Sequence, residues 1–197
     1  MLAKRTNWFS TEKITYVALL VALQVVLGNV TQIPFIGKQF TFGFLPIAAA
    51  GALLGPVAAV VVGALGDFFG AHLFPQGAYF VGFTVTNIVV GVVYGLLLHA
   101  KKPSWARAVI ATAAVALINL FLNSFWLSLL YATRAFWGWV SVRAATYLIE
   151  APVQAVLTYF TLRGLQKLKL PFNLRLVAEE PEKESACESA KKPSSRG

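Results

Sequence analysis

Apolar residues fill most of this chain, and short polar breaks divide them into six segments. The segments cover about residues 14–30, 42–54, 56–70, 80–98, 106–130 and 140–165. A helix needs about 20 apolar residues to cross the hydrocarbon core of a bilayer. The second and third segments are shorter than that, so we expect at least one of them to be tilted or partly buried. The pattern predicts an all-α membrane protein with six transmembrane helices.

The breaks carry the signals that begin and end helices. Ser10-Thr11-Glu12 supplies an N-cap and early negative charge before the first segment. Residues 31–39 read as a polar link, since they contain Pro34, Gly37 and Lys38. Pro56 suits the first position of a new helix. We therefore expect Gly55-Pro56 to separate the second helix from the third.

The stretch 67–83 is the most unusual turn, because it is both glycine-containing and aromatic. Pro75 and Gly77 do not continue a helix, so the chain turns there. Phe74, Tyr79 and Phe80 are costly to leave in water. This turn therefore needs a bilayer interface, a covering loop or a flat apolar ligand.

The charge distribution favours a membrane protein over a nucleic-acid-binding one. Only 13% of the 197 residues are charged, against about 25% in soluble domains. Asp67 and Glu150 are the only acids between Ile14 and Ala178. We find no basic face beside a soluble core, so the positive charge is read as the positive-inside bias of a membrane protein. The single cysteine, Cys187, excludes an internal disulfide.

The bases predict the orientation of the chain. Six spans put both termini on one side; the termini and the 98–107 loop hold fourteen of the seventeen bases, and the opposite side holds three. Both termini are therefore expected in the cytoplasm. No small-residue cleavage site follows the first apolar run, so it is read as a retained helix. We predict a cytoplasmic N-terminal segment (1–13), a six-helix membrane domain (14–170) and a disordered cytoplasmic tail (171–197).

Polar residues within the predicted spans converge on one outer cavity. Polar groups in membrane helices are expensive and usually face the bundle interior. The groups are Asn119, Asn123 and Trp126 on the fifth helix; Arg143, Tyr147, Glu150 and Gln154 on the sixth; Thr84, Thr86 and Asn87 on the fourth; and Asp67 on the third. We place Tyr131, Phe136, Trp137 and Trp139 in a loop above them.

Each feature also has a structural interpretation. Asn and Thr side chains often only bond neighbouring helices, at about 0.6 kcal/mol each. Asp67 and Arg143 are predicted to form a structural pair, although an arginine without such a partner would bind an anion. Trp137 and Trp139 would equally suit an interfacial belt. The glycines at 91 and 95 give a weak packing signal.

No motif indicates catalysis or a cofactor. The chain lacks H-E-x-x-H, G-x-S-x-G and Walker A sequences. His72 and His99 are too far apart in sequence and topology to suggest a metal pair. We expect no enzyme activity, no cofactor and no metal in this chain.

An ordered set of motifs over about residues 14–165 resembles the substrate-binding S components of energy-coupling factor (ECF) vitamin transporters. The set comprises Phe42-Gly-Phe-Leu-Pro46, Leu54-Gly-Pro56, Gly63-Ala-Leu-Gly-Asp67, Phe74-Pro75, Phe80-Val-Gly-Phe-Thr84 and Gly91-Val-Val-Tyr-Gly95. The later run 119–126, Arg143 and Glu150-Ala-Pro152 resemble the folate-family branch.

The resemblance implies an S-component-like bundle that binds a water-soluble vitamin from outside. It also implies a transmembrane T component and two cytoplasmic ATPases as partners. Ala18-Leu-Leu-Val-Ala22 matches the first-helix motif that docks on the T component; the alternative is that both alanines pack inside the bundle. The candidate vitamin contacts are Asn119, Asn123, Trp126, Trp137, Arg143, Tyr79, Phe80 and Lys38.

The vitamin is left open between folate and a relative such as pantothenate. A self-sufficient carrier is a further alternative, but two membrane acids provide little for a coupling-ion site.

Overall fold

The computed structural model describes residues 11–35, 38–75, 80–99, 104–131 and 135–167. The predicted tail, 171–197, and most of the predicted N-terminal segment lie outside the described residues. The described part contains α1 (Thr11–Asn29), β1 (Ile33–Phe35), β2 (Lys38–Phe40), α2 (Phe44–Leu54), α3 (Pro56–Leu73), α4 (Val81–Leu98), α5 (Trp105–Leu130) and α6 (Phe136–Lys167). Apart from these two short strands the described architecture is helical, in agreement with the apolar pattern of the sequence.

The link after α1 contains a short antiparallel hairpin where a polar loop was predicted. Ile33 pairs with Phe40, and Phe35 pairs with Lys38. The N–H of Phe42 donates to the carbonyl of Leu27 at 3.2 Å, which ties the end of the hairpin back to α1. The strands are only three residues each, so the link has no strand-length periodicity for a sequence pattern to reveal.

The predicted turns around α3 are confirmed. Gly55 separates α2 from α3 with φ of 94°, a left-handed conformation that favours glycine. Pro56 occupies the first turn of α3, where its missing N–H is tolerated. The helix ends at Leu73, two residues before Pro75, and α4 begins at Val81.

The sixth helix begins earlier than predicted. The carbonyl of Ala135 accepts from the N–H groups of Gly138 at 2.9 Å and Trp139 at 3.3 Å, so the helix starts at Phe136. Trp137 and Trp139 therefore lie on α6, and their predicted place in a loop is wrong. Gly138 disfavours a helix in the sequence pattern, so the helix was predicted to start after it. In the structure Gly138 lies in the first turn of α6.

Three described helices, α3, α4 and α5, are long and apolar enough to cross a membrane. The apolar parts of α1 (Lys13–Asn29) and α2 are shorter. Large apolar side chains point outward; Leu148 of α6, for instance, is 80% exposed. An apolar exterior of this kind suits lipid and not water.

Glycine and alanine let the central helices approach closely. α3 packs against α1, α2 and α4, and α6 packs mainly against α5. A Cβ atom on Gly91 of α4 would lie 2.7 Å from the carbonyl oxygen of Ala59 of α3, so only glycine fits at this contact. This geometry confirms the predicted packing role at Gly91. The compact core beneath includes Ile47, Val62 and Tyr94.

Candidate ligand-binding site

A cavity of about 470 Å³ lies in the half of the bundle that carries the β1–β2 hairpin, and every helix contributes to its wall. We call this half the hairpin end. Ligand pockets in proteins span about 300–1,000 Å³. The lining residues are Gln24, Gly28, Asn29, Gln32, Thr41, Gly43, Phe44, Ile47, Gly66, Asp67, Ala71, Phe74, Phe80, Phe83, Thr86, Asn87, Val90, Val115, Asn119, Asn123, Leu127, Leu130, Tyr131, Tyr147, Glu150 and Gln154.

Asn119 and Asn123, two of the three residues of the predicted face of α5, line this cavity. The Nδ2 of Asn119 donates to the carbonyl of Val115 at 3.0 Å. The Nδ2 of Asn123 then donates to Oδ1 of Asn119 at 3.1 Å. These side chains are one helical turn apart, so each bond connects neighbours on one face.

Asp67 joins α3 to α4 beside the cavity. Its Oδ2 accepts from the hydroxyl of Thr84 at 2.6 Å, and its Oδ1 accepts from Nδ2 of Asn87 at 2.9 Å. The ion pair predicted between Asp67 and Arg143 is not formed in the described part of the chain. The reason is the packing, because α3 lies against α4 while α6 lies against α5.

Arg143 is therefore a buried cation that forms no ion pair within the described part of the chain. The side chain is only 9% exposed, and its Nε and Nη1 have no hydrogen-bond partner among the described residues. It lies one helical turn nearer the hairpin end than Tyr147, which lines the cavity. A buried guanidinium with unused donors is costly unless an anion meets it.

An aromatic wall closes the α4–α5 side of the cavity. Phe80 lines the cavity, and its ring lies 5.6 Å from the ring of Trp126, with an interplanar angle of 56°. The indole Nε1 of Trp126 donates to Oγ1 of Thr86 at 3.1 Å. Trp126 is not among the lining residues, so it supports Phe80 from behind.

Three polar residues of α6 complete the wall. Tyr147, Glu150 and Gln154 line the cavity, whereas Arg143, the fourth member of the predicted polar face, does not. The Nε2 of Gln154 donates to Oε1 of Glu150 at 2.6 Å. The wall therefore contains two acids, Asp67 and Glu150.

Three of the predicted contacts, Trp126, Trp137 and Arg143, are not among the lining residues. Trp137 is 71% exposed and packs edge-on against Phe136, so it suits the interfacial-belt alternative. Tyr79 lies outside the described residues. Lys38 is described only as part of the backbone of β2.

The contribution of α1 to the wall of the cavity was not predicted from the sequence. Gln24 is buried and lines the cavity together with Gly28 and Gln32. Gly66 of α3 makes room for it, because a Cβ there would collide with the Gln24 side chain. The four-residue spacing of Gln24 and Gly28 on α1, continued by Gln32 just beyond the end of the helix, was the available signal.

The described residues contain no group of three His, Cys, Asp or Glu side chains placed to hold a metal ion. Seven of the lining residues carry an amide, two carry a carboxylate and six carry an aromatic ring. Such a set can bind a small polar molecule through directional hydrogen bonds.

The apolar exterior and the polar cavity define a multi-pass membrane protein with a small-molecule binding site. The family model of the ECF transporter, substrate-specific component, matches residues 12–162. The chain belongs to this family.

Two relatives share about a third of their residues with this chain. The folate transporter FolT of Clostridium novyi is 33% identical over 160 residues, which is 79% of this chain and 90% of the relative. FolT of Leuconostoc mesenteroides is 33% identical over 163 residues, covering 78% and 86%.

Two solved structures share the fold. The crystal structure of FolT bound with folic acid has a TM-score of 0.74 and 32% identity, covering 83% of this chain and 98% of that one. The S-component for biotin from an ECF-type ABC transporter has a TM-score of 0.60 at 20% identity, covering 85% and 99%. The second likeness concerns the fold alone.

Proposed function

We propose that this chain is the substrate-binding subunit of an ECF-type importer that captures folate at the extracellular face. The observation that carries the proposal is the cavity at the hairpin end, in a chain 32% identical to a folate-bound protein. Folate joins a flat ring system to a glutamate with two carboxylates. The cavity offers an aromatic wall for a ring. Arg143 does not line the cavity, but it precedes the lining residue Tyr147 by one helical turn and could meet an anion there.

The ring occupies the interior of the cavity. Phe80 provides an aromatic surface there, and Trp126 holds Phe80 in place. The two acids of the wall disfavour a carboxylate in the same space. A ligand with a ring at one end and negative charge at the other therefore enters ring first.

Arg143 receives a carboxylate of the glutamate portion. Its unpartnered Nε and Nη1 support this role, because the guanidinium keeps donors that an anion would satisfy. The absence of a bond to Asp67 leaves Arg143 available. This assignment replaces the predicted structural pair.

The chain crosses the membrane six times, with both termini in the cytoplasm. The bias of fourteen bases against three supports this orientation. It places the hairpin end, and with it the cavity, toward the exterior. Single-cysteine labelling from outside, in a background without Cys187, is expected to modify Gln76→Cys and Thr133→Cys but not Lys102→Cys. Labelling of Lys102→Cys alone would reverse the orientation.

The partners are a transmembrane T component and two ATPase subunits that supply the energy. Ala18 and Ala22 lie on α1 and are both exposed, so the alternative of packing inside the bundle is not supported. Small residues let a second helix approach the backbone closely. We assign the surface formed by Ala18 and Ala22 to docking on the T component.

Purification without added vitamin tests the function. Native mass spectrometry of the purified chain should detect a retained folate, and co-purification should recover the T component and the ATPases from cells that make them. A retained vitamin of another class would contradict the assignment of folate. Uptake by the chain alone, without ATPase subunits, would contradict the role of a subunit.

A further inference from the structure

Most of the amide side chains around the cavity donate hydrogen bonds to the protein itself. Seven described residues that line the cavity carry an amide, and six of them donate from the amide nitrogen to another protein group. The six are Asn29, Gln32, Asn87, Asn119, Asn123 and Gln154. Their nitrogen ends are thus directed at protein acceptors.

The orientation on α5 is dictated by a backbone carbonyl. The carbonyl of Val115 only accepts hydrogen bonds, so Asn119 must turn its Nδ2 toward it. The Oδ1 of Asn119 then faces Asn123 and also only accepts, so Asn123 must turn its own Nδ2 toward it. Either amide in the flipped orientation would place two acceptors together.

This series ends on an unused acceptor. The Oδ1 of Asn123 is buried and has no hydrogen-bond partner among the described residues. The Oε1 of Gln24, across the cavity on α1, is in the same state. Both unpartnered buried atoms of the lining residues are oxygens, and the two charged groups of the wall, Asp67 and Glu150, are acids.

A buried acceptor without a partner is expensive, and it selects a ligand that supplies the missing donor. We infer that the cavity recognises its ligand as a hydrogen-bond donor: Oδ1 of Asn123 accepts an N–H of the amino group on the ligand's flat ring. Asn119 is a positioning residue, since it fixes the orientation of Asn123 without being the acceptor itself. This inference rests on the proposed function, because it specifies how the folate ring is recognised.

The test compares two ligands on the intact purified chain by isothermal titration calorimetry. One is folic acid, and the other is the analogue whose ring amino group is replaced by hydrogen. The analogue should bind the unmodified chain about tenfold more weakly, because it leaves the acceptor unsatisfied. This comparison needs no substitution, so it stands even if a variant fails to fold.

Substitutions locate the effect. Asn123→Leu should weaken folic acid by about tenfold and leave the analogue within about twofold, which brings the affinity ratio near unity. Asn119→Leu should lower the same ratio, since Asn123 is then free to flip. Ser128→Ala is the matched control, because its hydroxyl bonds the carbonyl of Phe125 on the same helix and does not line the cavity. It should leave both affinities unchanged.

Two results would overturn the inference while leaving the proposed function intact. One is equal affinity of the two ligands for the unmodified chain. The other is an equal loss of both ligands in Asn123→Leu, which would make the residue a structural element only. Failure of folic acid to bind the unmodified chain would instead overturn the proposed function, and the inference with it.

Discussion

Trp126 of α5 donates a hydrogen bond of 3.1 Å from its indole Nε1 to Oγ1 of Thr86 on α4. The same indole packs against Phe80, the residue just before α4. One side chain thus fixes the distance between two helices and supports the aromatic wall of the cavity. The ligand-facing surface depends on a residue that is not itself part of the lining.

Removing parts of Trp126 should separate these two roles. Trp126→Phe loses the hydrogen bond but keeps a ring behind Phe80, so the free energy of unfolding should fall by about 1 kcal/mol and folate affinity by less than about tenfold. Trp126→Ala also removes the ring and should lower affinity by more than about tenfold. Thermal unfolding and calorimetry measure the two effects. Trp105→Phe, at the opposite end of α5, is the control and should not alter affinity.

A pair of glycines tests how closely the wall is packed. A Cβ on Gly82 would collide with the ring of Phe80 and lie 2.5 Å from Cδ2 of Trp126, whereas a Cβ on Gly164 meets nothing within 4 Å. Gly82→Ala should therefore displace the wall, lower the melting temperature and weaken folate binding. Gly164→Ala should raise stability by about 0.5–1 kcal/mol, because alanine suits a helix better. Gly164→Ala is expected to bind folate like the unmodified chain. If Gly82→Ala does so too, the wall does not contact the ligand.

Arg143→Ala should weaken folate binding about tenfold or more, because a hydrogen bond to a charged group contributes about 1.5–3 kcal/mol. The comparison ligand is the pterin ring alone, because pteroic acid lacks the glutamate portion but keeps a benzoate carboxylate. It should bind the variant and the unmodified chain with similar affinity. An equal loss of both ligands would show that Arg143 serves the fold and not the carboxylate.

A double-mutant comparison tests whether Asp67 and Arg143 interact. Since Asp67 bonds Thr84 and Asn87, Asp67→Asn and Arg143→Ala should have additive effects on the free energy of unfolding, within about 0.5 kcal/mol. A larger coupling between the two substitutions would restore the ion pair predicted from the sequence.

Substitutions on the surface formed by Ala18 and Ala22 should abolish transport and leave folate binding intact. Ala18→Trp combined with Ala22→Trp adds bulk on an exposed face, so the variant should fold and bind folate normally yet fail to associate with the T component. Leu148→Trp, at the most exposed apolar position of α6, is the control and should support uptake. Co-purification and cellular uptake are the measurements. Loss of folate binding in the alanine variant would assign the face to the bundle itself, and normal uptake would remove its docking role.

Helix periodicity and helix-breaking residues were enough to predict most of the helices and turns. The turn at Pro75, the junction at Gly55 and the cavity face of Asn119 and Asn123 all follow from local rules that one helix obeys alone. The hairpin was missed because three-residue strands are set by their pairing. The start of α6 was missed because Gly138 resembles a breaker.

The arrangement of the helices decides the rest. Spacing along α3 and α6 places Asp67 and Arg143 at similar depth, but it does not say that α4 is the neighbour of α3. For the same reason the sequence could not show that Trp126 stands behind Phe80. The contribution of Gln24 depends on a gap at Gly66, a tertiary feature that no pattern on α1 displays.

Direct titration of the purified chain with folic acid tests the central claim. The chain, stripped of any retained ligand and without its partner subunits, is titrated in detergent by calorimetry, with biotin and pantothenate as comparison ligands. Capture of folate predicts saturable one-to-one binding of folic acid that excess biotin or pantothenate does not displace. Absence of folic acid binding by the folded chain, or tighter binding of either comparison vitamin, would contradict the account.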